Sequence, residues 1–319
     1  TSFQAESGSV IVLDVESGQV LAMVNQPSYN PNNRVGLKLS AVRNRALTDA
    51  YEPGSTVKPF VVGVALQSGN YGPQSTIDTN PGFIRVGNFT IRDPLNRGEI
   101  TLGEAIMHSS QVGISKLALD LNEYEVRAMF EKLGFGRDAG TGFPGESAGR
   151  LPNHRRWTDI ERAAFAYGYG LTVTPLQLAA SYLTIASGGI KRDVSLIVGA
   201  ERNDQRIYSR EVADQLKQIL ASVVTDGTAK KAAIQGYAVA GKTGTARKMG
   251  ESGYEDTRHL AFFAGMAPVD QPRLVCVVLI NEPKGESYGG GATAAPVFSR
   301  VMQNALRILN VPPKVQVKG

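Results

Sequence analysis

The sequence predicts a mixed α/β protein of the α+β kind, in which a largely antiparallel sheet is assembled from both ends of the chain around a helical insertion. Three observations carry this. Residues 9–15 and 19–24 are aliphatic or β-branched runs separated by Glu16-Ser17-Gly18, the pattern of an antiparallel hairpin closed by a short glycine turn. Residues 260–267 and 273–280 form a second such pair around a turn bounded by Pro268 and Pro272, with 237–240 as a shorter strand before them. Between the two pairs the apolar residues recur at helical spacing.

The clearest helix runs over 176–186. Thr174 is suited to cap it, Pro175 to occupy its first turn, and Gly188-Gly189 to end it. Further helices are expected at 57–67, 102–107, 123–133, 211–224 and 294–309. No internal repeat is visible, and the glycine-rich stretches near Gly188 and Gly289 are too short for domain linkers. The expectation is one domain over 1–319 with two lobes, a sheet lobe at about 1–60 and 190–319 and a helical lobe at about 61–189.

With 42% apolar and 20% charged residues the composition is that of a globular protein, which excludes long disorder. The net charge of +5 is spread along the chain, so no nucleic-acid stripe is expected. Cys276 lies in an apolar run and reads as a buried, inert thiol. His108, His154 and His259 lack ligand spacing, so no metal is expected. No apolar segment approaches the ~18 residues of a membrane span, and the start has neither a basic region nor a signal-like core. The expectation is a soluble domain whose targeting or anchoring segment is absent from these residues.

Three motifs are weighed and set aside. Gly145-Glu146-Ser147-Ala148-Gly149 fits the nucleophile-elbow pattern, but Pro144 precedes it and Arg150-Leu151-Pro152 follows, where a strand and a helix are required. Residues 236–243 match the phosphate-loop pattern G-x-x-x-x-G-K-[ST]; here the loop itself reads as strand, and Gly244 interrupts any following helix. Gly134-Phe135-Gly136 and Gly168-Tyr169-Gly170 do not complete a dinucleotide fingerprint and read as turns.

Ser55-Thr56-Val57-Lys58 has a stronger mechanical case. Pro53-Gly54 ends the preceding segment, and an i, i+3 spacing at a helix start places serine and lysine on one face. A neutral lysine can accept a serine proton, and burial or a nearby cation would make the neutral form available. Alone the motif is common, and Ser55 could equally be a helix cap. It is joined in order by Ser109-Ser110-Gln111 and by Lys242-Thr243-Gly244-Thr245. Together the three resemble the S-x-x-K, S-x-N and K-[ST]-G set of penicillin-binding proteins and serine β-lactamases. Asn30-Pro31-Asn32-Asn33, the surroundings of Ser55 from Tyr51 to Pro59, Trp157-Thr158-Asp159-Ile160-Glu161-Arg162-Ala163, Tyr167-Gly168-Tyr169-Gly170 and Val173-Thr174-Pro175-Leu176-Gln177-Leu178 are similar to the class B, division-type transpeptidases of Gram-negative bacteria.

That resemblance implies a five-stranded antiparallel sheet flanked by helices, with an inserted all-helical lobe. It implies Ser55 as nucleophile, Lys58 as its base, Ser109 as the proton link to the leaving amine, and Lys242 as the charge that keeps Lys58 neutral. The Thr243 and Thr245 hydroxyls would receive the substrate carboxylate with Arg247 as a second anchor, Gly244, Gln111 and Tyr169 would belong to the substrate-binding cleft, and backbone N–H groups of Ser55 and Thr245 would form an oxyanion hole. Tyr167, Tyr254 and Tyr288 are further candidates for an aromatic wall, or for packing. Gln111 stands where the family has asparagine, with the same amide on a longer stem. No cofactor is implied. The implied partners are peptidoglycan stem peptides, β-lactams bound covalently at Ser55, and cell-division proteins. The implied location is periplasmic, with an inner-membrane anchor elsewhere in the full-length protein. A β-lactamase, a D,D-carboxypeptidase or a non-catalytic β-lactam sensor would carry the same three motifs.

Overall fold

The computed structural model describes residues 3–250, 253–285 and 287–314. The chain opens with β1 (Ser7–Asp14) and β2 (Val20–Gln26), paired antiparallel as the hairpin pattern predicts. Gly18 closes the turn at φ +75°, where a side chain would collide with the Asp193 carbonyl, so the position requires glycine. Two single-turn helices, α1 (Leu39–Val42) and α2 (Arg45–Thr48), lead to a 3₁₀ turn at Gly54–Val57 and to α3 (Lys58–Gln67).

The insertion then unfolds as β3 (Thr76–Asp78), β4 (Phe83–Val86), β5 (Phe89–Arg92), β6 (Glu99–Thr101), α4 (Leu102–Met107), α5 (Gln111–Asp120), α6 (Glu123–Lys132) and α7 (Asp159–Ala166). It is therefore not all-helical, since β3 pairs with β6 and β4 with β5 in two small ribbons. Strands of three or four residues are too short for alternation to stand out in a sequence. Helices α5 and α7 are also additions to the expected set. In α5, Gly113 and Ser115 are buried beside Val112, Ile114, Leu117 and Ala118, so small and polar residues interrupt its apolar face.

Helix α8 (Pro175–Ala186) follows the sequence reading closely. Thr174 and Gln177 form a reciprocal capping box: Gln177 N–H donates to Thr174 Oγ1 at 3.1 Å, and Thr174 N–H to Gln177 Oε1 at 2.8 Å. Nearly all of α8 is buried, because it packs on β1 and on the two sheet strands nearest the C-terminus. A third ribbon, β7 (Ile190–Arg192) with β8 (Asp204–Arg206), and the long α9 (Arg210–Thr225) come next. The chain closes with β9 (Ala240–Gly250), β10 (Gly253–Ala267), β11 (Leu274–Asn281) and α10 (Ala294–Ile308).

The main sheet has the order β2-β1-β11-β10-β9, antiparallel throughout, as the resemblance implies. Central β11 is buried along nearly its whole length, Cys276 included, because both sheet faces are covered; burial also pushes that thiol's pKa up, which makes it inert. The strand expected at 237–240 is misplaced: β9 begins at Ala240 and carries the whole Lys242–Thr245 segment. Its glycines hid it. A Cβ on Gly241 would stand 2.5 Å from Phe263, and one on Gly244 2.8 Å from Thr56, so close packing has removed the residues that usually announce a strand.

Candidate active site

Three segments converge where the end of the sheet meets the helical insertion. The first is the 3₁₀ turn. Three residues per turn stack Ser55 over Lys58, and the chain passes directly into α3, with Ser55 half-buried and Lys58 fully buried. The turn is wedged in place from two sides. Gly54 N–H donates to Gly168 O at 3.2 Å, and Gly168 (φ +93°) sits so close that a side chain on it would overlap the Gly54 carbonyl. On the other side, a Cβ on Gly54 would stand 3.1 Å from the Thr245 carbonyl oxygen of β9.

The second segment is the link between α4 and α5. Ser109 N–H donates to Ile106 O at 3.1 Å and Ser110 N–H to Ala105 O at 2.8 Å, which is the paired closure of a Schellman motif. Ser109 occupies the left-handed position of that motif, at φ +59°, where glycine is usual. The bend turns both the Ser109 and Ser110 carbonyls onto Lys58, whose Nζ donates to Ser109 O at 2.7 Å, Ser109 Oγ at 3.3 Å and Ser110 O at 3.3 Å. The Ser55 hydroxyl is not among these acceptors.

The third segment is β9. Lys242 is fully buried, and its Nζ donates to Ser109 Oγ at 3.0 Å and to Thr243 O at 3.1 Å. Ser109 Oγ thus accepts from both lysines, which occupies its two lone pairs and leaves its own O–H to donate elsewhere. Burial pushes Lys58 down to about 7, against the opposing charge of Asp93. Burial, and then the neighbouring Lys58, push Lys242 well below the usual lysine range. Two buried amines joined through one hydroxyl favour a state with less than their full double charge. The arrangement is a lysine–serine–lysine chain able to accept, hold and return one proton.

The remaining predicted residues are placed less uniformly. Thr245 is exposed on β9, and its Oγ1 accepts from Gly290 N–H at 3.1 Å. Thr243 is buried, with its hydroxyl 2.8 Å from that of Thr228. Gly244 is packed beneath Thr56. Arg247, expected as a free anchor, is exposed but ion-paired to Asp256 at 2.8 Å, a partner supplied by the facing strand. Gln111 is the first residue of α5, and its N–H donates to Asp93 Oδ1 at 2.6 Å. Tyr169 stands in a row with Tyr167 and Tyr254, ring centroids 5.6 and 5.3 Å apart. Glu52 ties this row to the sheet, with Oε1 accepting from Tyr254 Oη at 3.0 Å and from Gly170 N–H at 2.8 Å. Tyr288 lies apart from the row, stacked on His259 at 3.9 Å.

Asp93, Thr228 and His259 were missed by the sequence reading. Asp93 had a faint signal, an Asp-Pro pair directly after an alternating run; the other two had none. Neither of the two longer discarded motifs has the structure its chemistry requires. Gly145–Gly149 lies in irregular chain, and Lys242 of the phosphate-loop match lies in mid-strand, where backbone N–H groups cannot wrap around an anion.

The profile of the penicillin binding protein transpeptidase domain matches residues 8–303. The chain belongs to the penicillin-binding protein transpeptidase family. Among curated members it is 44% identical over 99% of its length to the peptidoglycan D,D-transpeptidase FtsI of Escherichia coli, covering 54% of that protein. It is 40% identical over 98% of its length to the probable peptidoglycan D,D-transpeptidase PbpC of Pseudomonas aeruginosa, covering 55% of it. The chain thus spans about half the length of the curated relatives it matches. The transpeptidase domain of penicillin-binding protein 3 from Burkholderia pseudomallei superposes with a TM-score of 0.89 at 38% identity, covering 98% of this chain and 91% of that one. Every segment of the site lies inside the family match.

Proposed function

We propose that this penicillin-binding transpeptidase domain joins peptidoglycan stem peptides through an acyl-enzyme on Ser55, and that β-lactams acylate the same serine. The observation that carries the reading is the buried Lys58–Ser109–Lys242 chain, whose Lys58 follows Ser55 by one 3₁₀ turn. Neutral Lys58 takes the Ser55 hydroxyl proton as Oγ attacks the carbonyl between two terminal D-alanines. The C–N bond then breaks, the nitrogen leaves with a proton passed through Ser109, and D-alanine departs. An amine of a second stem attacks the ester, gives up a proton to the same chain, and restores Ser55.

Geometry supports the oxyanion donors. In an antiparallel strand the N–H and C=O of one residue point to the same side. The Thr245 carbonyl faces the Gly54 turn, so its N–H faces Ser55 as well. Removing one such donor costs roughly 3–4 kcal/mol of transition-state stabilisation in other enzymes. Exposed Thr245 is the first receiver of the substrate carboxylate, and Arg247 joins it by exchanging Asp256 for the ligand. Likeness to FtsI supports a role in septal wall synthesis beside division proteins, on the periplasmic side of an inner membrane to which the whole protein is anchored. No helix among the described residues is long and apolar enough to cross a membrane.

The test is intact-mass spectrometry after exposure to benzylpenicillin. A lasting adduct of the drug's full mass, mapped to the Ser55 peptide and lost in Ser55→Ala, is expected, because the lactam amine stays tethered and cannot depart. Rapid release of hydrolysed drug would favour a lactamase. Absence of both adduct and turnover in folded protein would remove the reading.

A further inference from the structure

The Ser109–Ser110 turn has a neighbour that the reaction scheme above leaves unused. Asp93 stands just past β5 in the β4–β5 ribbon, its own N–H donating to Gly82 O at 2.9 Å. Its Oδ1 accepts from Gln111 N–H at 2.6 Å and Val112 N–H at 3.2 Å, and its Oδ2 accepts from the Ser110 hydroxyl. Ser110 is meanwhile the N-cap of α5, its Oγ accepting from Gly113 N–H at 2.8 Å. One carboxylate therefore ties down the first turn of α5 and the residue next to Ser109. Ser109 is the strained point of that segment, and its carbonyl and that of Ser110 hold Lys58.

We infer that Asp93 is a positioning residue of the acyl-transfer site, which holds the Ser109–Ser110 turn in its bent form and supplies the negative charge that faces the buried Lys58. The inference rests on the acyltransferase reading. Its first half follows from the hydrogen bonds: without Asp93, nothing else among the described residues engages the Gln111 N–H and the Ser110 hydroxyl together, and the left-handed Ser109 has a cheaper conformation to relax into. Its second half follows from placement. Asp93 holds the Ser110 hydroxyl while the Ser110 carbonyl accepts from Lys58, and Lys242 shares Ser109 Oγ with it, so among the described residues the charged groups facing Lys58 are Lys242 from β9 and Asp93 from the end of β5. His108, next to Ser109, has its own charged neighbours in Arg97 and Glu104. Burial alone would strip Lys58 of its proton and leave a weak base; Asp93 opposes that and keeps its proton affinity close to neutral pH.

The experiment compares the rate of acylation by benzylpenicillin from pH 5.5 to 9 in the parent, Asp93→Asn and Ser110→Ala, with circular dichroism to confirm folding. Acylation needs neutral Lys58, so the parent rate should rise through an acidic limb near pH 7. Asparagine keeps an acceptor for the N–H groups but loses the charge. Its limb should move to lower pH by about half a unit or more, with a plateau roughly tenfold lower because the base is weaker. Ser110→Ala keeps the charge and loosens the turn, so its plateau should fall with the limb unmoved. An Asp93→Asn limb that coincides with the parent's overturns the charge role, and with it the inference. If Asp93→Asn does not fold, a Ser110→Ala plateau equal to the parent's overturns the inference on the positioning role. A parent that takes up no penicillin sinks the acyltransferase reading and this inference together, whereas an acylating parent beside an unmoved limb sinks the inference alone.

Discussion

Replacing Ser109 by alanine and by glycine separates what its hydroxyl does from what its backbone costs. Both variants lose the oxygen that accepts from Lys58 and Lys242, at 3.3 and 3.0 Å. Each lost bond is worth about 1 kcal/mol net, so about 2 kcal/mol of stability is at stake in either variant. The variants differ at φ +59°. Alanine inherits the roughly 1–2 kcal/mol penalty of a left-handed L-residue. Glycine escapes it but adds about 0.5–1 kcal/mol of unfolded-chain entropy. The glycine variant should therefore be the more stable of the two by about 0.5–1 kcal/mol, read as a higher urea midpoint at equal m-value. Both should acylate with penicillin at least ~100-fold more slowly than the parent, since the proton link between the lysines is gone. Equal urea midpoints would refute the strain argument, and an acylation rate within about threefold of the parent would remove Ser109 from the proton path.

Two further outcomes follow from the packing of the site. Gly168→Ala should cost roughly 3 kcal/mol or more, because its side chain would overlap the Gly54 carbonyl at φ +93°. Gly170→Ala, at φ +79° with no atom within 4 Å of a Cβ, should cost only about 1 kcal/mol; thermal melts of the pair check the contrast. Gln111→Asn should be tolerated and should acylate at or above the parent rate, since the bond to Asp93 comes from the backbone N–H. A fall beyond about tenfold, or ~1.4 kcal/mol, would mean that the cleft is built around the longer amide.

The convergence of the segments that carry Ser55, Lys58, Ser109 and Lys242 was legible because the three motifs are set by residue type and chain order, and both survive in a one-dimensional text. The first hairpin, α8 and the final strand pair were legible for a similar reason, namely that they are apolar runs of strand or helix length whose bounding turns carry glycine or proline. Strand β9 was only half legible, because the glycines that admit Phe263 and Thr56 also erase its strand character. What could not be read is partnership. Asp256 reaches Arg247 only once β9 and β10 have paired, and Thr228 meets Thr243 only once the loop after α9 has folded against the sheet. Asp93 caps a helix that starts 18 positions later, well beyond the local window in which capping boxes such as Thr174–Gln177 announce themselves.

The strand order also has a consequence for how the molecule comes into being. The hydrogen bond between Ser7 and Asn281 joins residues 274 positions apart, and β1 pairs with β11 along its whole length. During synthesis β1 and β2 can form only an isolated hairpin, which is marginal in water. The middle of the sheet stays open until the last strands emerge, while α3 to α7 can already collapse on one another. Closure across so long a loop is slow, and until it happens the apolar faces of β1 and α8 are exposed to other chains. The step most prone to loss through aggregation is thus the final zipping of β11 between its two neighbours, far in sequence from the serine whose surroundings that zipping completes.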